Sequence, residues 1–462
     1  MLNEAEFESE LIRYLETVGN TKQWEYRPDI KTTEQLWQNF REILERNNQE
    51  ALRGHPLTDG EFAQVQREIC DLKTPYDAGR FLYGFNGRST VSVLRDEAHD
   101  TEAQSMILTI FKQDEVGAGN TTYQIVNQIR REHVQAGMQD RRFDTTLLIN
   151  GLPIIHIEEK ADRHDAYEGL NQIRQYIDEG LFGDIYSTTQ ILIGMTPHDT
   201  RYMANTDARS FNTDFAFHWQ TESENKTVWE WKAFCDKMLS IPMVHYMATK
   251  YMILDGARDH KQLMVMRPYQ VYATRRVIER LRAHEFGMDP LEVGYVWHTT
   301  GSGKTVSSFK TAWLASRLPN VDKVVFLVDR RALTSQTYDN YAAYDPDTDD
   351  DNNGGVISDT RNTGDLRRRL RSSHTENNII VTSIQKMGRL AKKMDSAIDD
   401  RNVVFIVDEA HRSTNGELLP LIKQRFPRSA WVGYTGTPVF DKDLTHKAFG
   451  DLIHAYTIRE AI

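Results

Sequence analysis

At 462 residues the chain is too long for one ordinary core at roughly 100–200 residues per domain, so two to four domains are expected. Lys and Arg number 56 against 67 Asp and Glu, a formal net charge of −11, which excludes a chain-wide basic coat and confines nucleic-acid contact to local basic faces. Cys70 and Cys235 are too few for a disulfide framework or a cysteine zinc site, and no apolar run approaches the ~20 residues of a membrane span.

The opening Met1-Leu2-Asn3-Glu4-Ala5-Glu6 is acidic where a secretory signal would be basic, so a soluble, cytoplasmic chain is the expectation. Phe7, Leu11, Ile12, Leu15 and Val18 form one apolar stripe and predict an amphipathic helix. Residues 24–83 read only as helices and loops. Residues 89–94 and 143–158 are β-rich, the second as a hairpin around Asn150-Gly151. Residues 169–176 read as helix, 191–194 as a buried strand, and 229–239 as a helix ended or kinked by Pro242. Past Leu254-Asp255-Gly256 the composition shifts. Short β-branched runs at 294–297, 323–328, 378–382, 403–407 and 430–433 alternate with helix-length segments, the pattern of a parallel, doubly wound α/β sheet. The acidic run 345–355 stands outside it and reads as a solvated loop. The expected division is 1–250 and 251–462.

Tyr295-Val296-Trp297-His298 leads into the glycine-rich turn Thr299-Thr300-Gly301-Ser302-Gly303-Lys304-Thr305. A triphosphate needs curled backbone amides, a cation and a hydroxyl for its metal; Gly301 and Gly303 supply the curl, Lys304 the cation and Thr305 the hydroxyl. Thr300 and Ser302 complete this candidate ATP loop, although His298 stands where the pattern begins with glycine. An ordinary strand-to-helix turn is the alternative until a second motif appears. Val403 to Val407 ends in Asp408-Glu409-Ala410-His411, two carboxylates at a strand end, one for Mg²⁺ (Asp408) and one to polarise water (Glu409). Acids there can also serve capping alone. Both motifs, in this order in one α/β sheet, identify a P-loop NTPase.

The Asp-Glu-Ala-His string resembles the superfamily 2 helicases and translocases. By that resemblance Gln270, in Arg267-Pro268-Tyr269-Gln270, reads adenine. Arg330, in Val328-Asp329-Arg330-Arg331, grips DNA phosphates, and Thr382-Ser383-Ile384-Gln385-Lys386 is similar to a further DNA-contact motif. Thr435 and Thr437, in Gly433-Tyr434-Thr435-Gly436-Thr437-Pro438, couple hydrolysis to DNA movement, and His411 relays between nucleotide and DNA.

In the first half, Asp144, Glu158 and Lys160 offer what Mg²⁺-dependent phosphodiester hydrolysis needs, carboxylates for the metal and a lysine for water. Residues two apart on a strand share a face, which joins Glu158 to Lys160 and turns Glu159 away. For Asp144 to share that face the hairpin needs an odd-length turn or a bulge, and an odd-length turn is predicted. Surface salt-bridging is the alternative for these three. The string resembles the PD-(D/E)xK nucleases, with Phe143 in place of the proline, and Gln172-Ile173-Arg174-Gln175-Tyr176 is similar to the Q-x-x-x-Y helix of their RecB-like branch. Gln172 and Tyr176 lie on one helical face, to touch DNA or the lysine or only solvent. Glu8 on the first helix is a further candidate to support the site.

Together these stretches resemble the restriction (R) subunit of type I restriction–modification enzymes. The match is carried also by Val265-Met266-Arg267-Pro268-Tyr269-Gln270, Asn150-Gly151-Leu152-Pro153 and Thr200-Arg201-Tyr202-Met203. The resemblance implies a RecB-like nuclease over 1–250, with a mixed sheet flanked by helices, and a RecA-like motor lobe over 251–462. It implies ATP and Mg²⁺ as cofactors, with Asp144 and Glu158 holding the nuclease ion and Thr305 and Asp408 the nucleotide's. Double-stranded DNA and the methylation (M) and specificity (S) subunits are the implied partners. Such motors close ATP between two lobes; the text ends after the first, so weak ATP binding and slow hydrolysis are expected of this stretch alone. The rival readings are a repair translocase whose front domain only binds DNA, and a non-catalytic interaction protein without nucleotide affinity.

Overall fold

A computed structural model describes residues 3–18, 23–96, 105–116, 119, 121–132, 140–257, 260–328, 331–347, 355–360, 362–372, 378–394, 396–398, 400–413, 417–438 and 444–457, with backbone alone for 331–336 and 412–413. The chain divides into two compact units, Met1–Gln220 with Thr227–Asp255 and His260–Val265, and Thr221–Lys226 with Gly256–Asp259 and Met266–Ile462.

In the first unit the predicted apolar stripe forms α1 (Glu4–Thr17), capped by Asn3, with Phe7, Leu11, Ile12 and Leu15 buried. A short strand β1 (Glu25–Tyr26) precedes four helices, α2 (Thr33–Asn47), α3 (Gln49–Leu52), α4 (Asp59–Cys70) and α5 (Pro75–Tyr83). Thr32, Thr58 and Thr74 each accept from the amide three residues on, while that residue's side chain reaches back, so α2, α4 and α5 all start with capping boxes. A two-stranded sheet, β2 (Arg88–Leu94) with β3 (Ser105–Lys112), follows. The main sheet adds β4 (Tyr123–Arg131), β5 (Arg141–Ile149), β6 (Leu152–Glu159), β7 (Ile191–Met195) and β8 (Thr200–Ala204), with α6 (Ala166–Asp178) between β6 and β7. Its order is β1-β4-β5-β6-β7-β8. β1–β4 and β6–β7 run parallel and the other neighbours antiparallel, so the sheet is mixed. The unit closes with α7 (Trp231–Phe234), a π turn to Leu239, α8 (Met243–Ala248) and the pair β9 (Met252–Asp255) and β10 (Gln262–Val265). The predicted helix near 229–239 ends at Leu239, and Pro242 stands at the start of α8.

The hairpin corrects one expectation. Its loop is not odd-length: Asn150 (φ 53°) and Gly151 (φ 80°) form a two-residue turn with both residues left-handed, the type I′ conformation that Asn-Gly favours. The offset comes from a bulge. Leu148 pairs with Pro153 but Leu147 with Ile155, so Ile154 is the extra residue in β6. Thr145 then pairs with Ile157, which sets Asp144 opposite Glu158.

The second unit is wound around one seven-stranded parallel sheet. Its elements are α9 (Pro268–Ala283), β11 (Glu292–His298), α10 (Lys304–Ala315), β12 (Lys323–Val328), α11 (Arg331–Tyr344), β13 (Ile357–Asp359), α12 (Thr363–Arg371), β14 (Ile379–Ser383) and α13 (Ile384–Lys392). They continue with β15 (Val403–Val407), α14 (Ala410–Ser413), α15 (Leu418–Arg425), β16 (Ser429–Thr435), α16 (Leu444–Phe449) and β17 (Leu452–Tyr456). The order is β13-β14-β12-β15-β16-β11-β17, every neighbouring pair parallel, as the alternating apolar runs predict and as the resemblance to a RecA-like lobe implies. Buried Val325, Leu327, Phe405, Val407 and Trp431 carry one face, with Phe405 and Trp431 stacked at 4.2 Å. The acidic run is not wholly solvated. Asp345 is buried because its carboxylate accepts from the amides of Asp347 (3.2 Å) and Val356 (2.7 Å) at the approach to β13, and burial pushes it up to about 6. Residues 348–354 lie outside the described ones.

Candidate active sites

Three neighbouring strands of the first unit bring one polar group each to a common line. Asn127 pairs with Thr145 and Ile129 with Phe143, so Gln128 of β4 stands opposite Asp144 of β5, which stands opposite Glu158 of β6. Gln128 is held at φ 54°, a left-handed conformation a glutamine in a strand rarely takes. Its Nε2 donates to Asp144 Oδ1 (3.2 Å) and to Glu8 Oε1 (2.9 Å), tying α1 to the sheet.

The amide of Glu159 donates to Asp144 Oδ2 (3.2 Å) just past the last paired residues, and the amide of Thr145 also reaches Glu159 Oε2 (3.3 Å). Glu159, which alternation separates from Glu158, still comes within reach of the group beside Asp144. Glu8, Asp144 and Glu159 each offer a ligand atom, all within 4.8 Å of one another, the combination among the described residues that can hold a metal ion. Glu158 joins them from its place opposite Asp144 on β6. Lys160 Nζ lies 3.5 Å from Glu158 Oε1 and donates to the Glu159 carbonyl (2.9 Å).

Burial pushes the Asp144 carboxyl up to about 8, and the charge of Glu158 adds to the effect. Burial raises Glu158 to about 7 against the pull of Lys160, and raises Glu159 as well. Glu159 Oε1 is buried without a hydrogen-bond partner. Several hard oxygen donors that cannot ionise together unaided, one of them unsatisfied, fit a divalent cation of the Mg²⁺ class.

Helix α6 closes the site from one side. Gly169 and Gly194 allow it onto β6 and β7: a Cβ on Gly169 would meet the Glu158 carbonyl at 2.8 Å, and one on Gly194 the Ala166 carbonyl at 2.1 Å. Gln172 donates to the Tyr176 hydroxyl, which reaches Glu158 Oε1 at 3.5 Å, so this pair faces the carboxylates and not solvent alone. Behind Glu158, His156 Nε2 lies 3.3 Å from Oε2, and burial drives the imidazole down to about 3. Sequence reading passed over Gln128 and His156 and set Glu159 aside by alternation.

In the second unit the neighbouring strands β15, β16 and β11 end side by side. Their ends carry Asp408-Glu409, Thr435-Gly436-Thr437 and the loop Thr299–Thr305, the crevice where open α/β sheets bind ligands. Gly301 (φ 84°) and Gly303 (φ 75°) are left-handed, and a Cβ on Gly301 would meet nothing within 4 Å, so the loop lies open above its amides. Lys304 Nζ sits 3.6 Å from Glu409 Oε1. Thr300 and Thr305 are exposed on either side of it.

Tyr269 donates from its hydroxyl to the Ser302 carbonyl (2.6 Å), and Gln270 Nε2 donates to the same carbonyl (3.1 Å) and to that of Gly303 (3.3 Å). Gln270 Oε1 accepts from the Arg267 amide (2.9 Å), so this side chain braces the loop with both ends of its amide. Burial and neighbouring Glu409 raise the Asp408 carboxyl, a strain that a bound cation relieves. His411 Nδ1 lies 2.9 Å from Thr435 Oγ1, which also accepts from the Thr437 amide (3.2 Å), joining the β15 and β16 ends. A Cβ on Gly436 would come within 2.8 Å of Lys304 Nζ. Arg330 lies outside the described residues.

Two family models match. The one described as the type I restriction enzyme R protein N terminus covers residues 1–211, and the SWI2/SNF2 ATPase covers 269–462. The endonuclease subunit of a type I restriction enzyme of Staphylococcus aureus (strain COL) is 33% identical over 469 residues, spanning 100% of this chain and 46% of that protein. A counterpart from Staphylococcus saprophyticus is 32% identical over 94% of this chain and 43% of its own. The chain thus spans about half the length of the curated relatives it matches. Among solved structures, the Sulfolobus solfataricus SWI2/SNF2 ATPase core in complex with double-stranded DNA aligns over 40% of this chain and 35% of its own, at 15% identity and a TM-score of 0.29. With matches to an R-protein N terminus and then a SWI2/SNF2 ATPase, and similarity along its own length to named endonuclease subunits, the chain belongs to the type I restriction enzyme R-subunit family.

Proposed function

We propose that this chain supplies the nuclease and the first motor lobe of a type I restriction R subunit, which moves double-stranded DNA with ATP and cuts it. The proposed assembly holds methylation (M) and specificity (S) subunits and works in the cytoplasm. No helix among the described residues is long and apolar enough to cross a membrane. The observation that carries the reading is a pairing on one polypeptide. Gln128, Asp144 and Glu158 line up across three strands beside Lys160, and another sheet sets a phosphate loop and Asp408-Glu409 at the ends of the two strands that flank β16.

In the first unit, Asp144 with Glu8, Glu158 and Glu159 would hold the ion, and Mg²⁺ is the proposed one. A divalent cation there supplies charge neutralisation and an acidified water. Lys160 places its ammonium at Glu158, positioned to orient the attacking water or steady the phosphate. Tyr176, steadied by Gln172, orients Glu158. In the second unit the loop amides of Thr300 to Thr305 and Lys304 would cradle the ATP phosphates. Thr305 and Asp408 would hold its Mg²⁺, and Glu409 would polarise the attacking water. His411 and Thr435 then transmit the state of the nucleotide toward DNA, with Thr437 and Arg330 proposed in the same coupling.

Two substitutions in the full R subunit, assembled with its partners, separate the units. Lys160→Ala should abolish cutting and leave ATP-driven translocation; Lys304→Ala should abolish both. Cutting that survives Lys160→Ala would mean that the first unit binds DNA without cleaving it.

A further inference from the structure

A buried polar chain runs from Glu158 into the core of the first unit. His156, fully buried, places Nε2 3.3 Å from Glu158 Oε2 and Nδ1 3.2 Å from Thr146 Oγ1. Thr146 pairs with His156 across the β5–β6 ladder, and its hydroxyl lies 3.2 Å from that of Tyr186. The rings of Phe143 (4.7 Å between centroids) and Phe182 (5.5 Å) enclose the imidazole. Around it Ile154, Ile155 and Ile157 show that this stretch readily accepts aliphatic residues, which would avoid the desolvation of an imidazole and a hydroxyl.

Hydrogen-bond inventory gives the chain a direction. A carboxylate only accepts, so a carboxylate at Glu158 needs the proton of His156 on Nε2. Nδ1 of the neutral ring is then an acceptor, the Thr146 hydroxyl must donate to it, and the Tyr186 hydroxyl must donate to Thr146. With Glu158 ionised, each link is filled in that one order. The opposite tautomer would set a lone pair against the carboxylate.

We propose that Tyr186, Thr146 and His156 form a positioning chain that selects the Nε2–H tautomer of His156 and thereby holds the Glu158 carboxylate in place for a divalent cation. The proposal deepens the nuclease reading and rests on it. His156 is a positioning residue and touches no substrate; partners of this kind typically change metal affinity by about 10–100-fold when removed.

The test uses the whole chain with Mn²⁺ and Mg²⁺ as probes. In ¹⁵N-histidine-labelled protein with saturating Mg²⁺, His156 should show the Nε2–H tautomer; the Nδ1–H tautomer overturns the proposal. In Mn²⁺ titrations His156→Phe, which keeps a ring but has no donor, should weaken binding about 10–100-fold. His156→Gln, able to accept from Thr146 and donate to Glu158, should recover most of it. Thr146→Val touches no carboxylate, yet should weaken Mn²⁺ binding in the same direction because it frees the tautomer. Equal losses in His156→Phe and His156→Gln would reduce His156 to a packing residue, and unchanged Mn²⁺ affinity in Thr146→Val would remove the chain. Asp144→Ala serves as the control: if it also leaves Mn²⁺ affinity unchanged, the metal site itself is wrong. Should His156→Phe not fold, the glutamine and valine variants decide the matter.

Discussion

Asp144→Asn should make the metal-free protein more stable, although it disables the proposed site. Folding lifts this carboxyl from 3.8 to about 8. A group with a raised folded value contributes its full stability below the unfolded value and loses it as pH rises through the folded one. Without a divalent ion, wild-type stability should therefore fall from about pH 4 to pH 8 on account of this group. At pH 7 the unfolded carboxyl gives up its proton while the folded one keeps it, a gap of about three units or ~4 kcal/mol at most. Part of this returns when asparagine lets Glu158 ionise beside Lys160. Another ~1 kcal/mol is lost because Asp144 accepts from both Glu159 and Gln128 while asparagine offers one oxygen. The expected net gain is about 1–3 kcal/mol at pH 7–8, shrinking toward pH 4. Mg²⁺ at a hundred times its Kd would add about 2.7 kcal/mol to the wild type alone, so the gap between the two should close or reverse. Hydrogen exchange of peptides covering 141–159, in chelator and in Mg²⁺, reads this locally without assuming that both units melt together. Faster exchange of Asp144→Asn than wild type in chelator at pH 8 would refute the reasoning.

Gly169→Ala should push α6 off β6, because its Cβ would lie 2.8 Å from the Glu158 carbonyl; about 1–3 kcal/mol of local stability and most cleavage should be lost with ATPase retained, as paired assays would show. Gly436→Ala should force Lys304 aside, since the new methyl would stand 2.8 Å from its ammonium, and weaken binding of a fluorescent ATP analogue about tenfold or more. Affinity equal to wild type would show that Lys304 has room to yield. Glu409→Gln should keep nucleotide affinity and lower the hydrolysis rate by about 10²-fold or more, consistent with loss of a group acting on the attacking water.

Most of the second unit was legible because its demands are local. A loop that wraps phosphate needs residues at positive φ, and Gly301 and Gly303 announce them. A wholly parallel sheet buries both faces, and the five apolar runs announce its main strands. Edge strands β13 and β17 carry no comparable run and went unread. In residues 24–83 a signal was present and passed over: Thr32 with Gln35, Thr58 with Glu61 and Thr74 with Asp77 are helix starts written in the text, though the hydrophobic periodicity around them is faint.

The first unit's site was legible in composition but not in register, and burial explains why. Alternation locates a strand's faces only when one of them meets water, and every residue of β6 from Leu152 to Glu159 is buried. A slip of one residue within Leu152-Pro153-Ile154-Ile155 therefore leaves no trace in the apolar pattern. The available clue was Pro153, since a proline in a strand paired on both sides belongs at a bulge. With the bulge at Ile154, the two-residue Asn-Gly turn and the alignment of Asp144 with Glu158 become compatible. The register of β5 and β6 ends at Thr145–Ile157, and beyond it the Asp144 carboxylate accepts from the Glu159 amide. Alternation separates Glu158 from Glu159, but Asp144 lies opposite the first and accepts from the amide of the second, so one carboxylate serves both. Ligand atoms of Glu8, Asp144 and Glu159 thereby come within 4.8 Å of one another while Asp144 still faces Glu158, a gathering that face assignment within one strand does not predict.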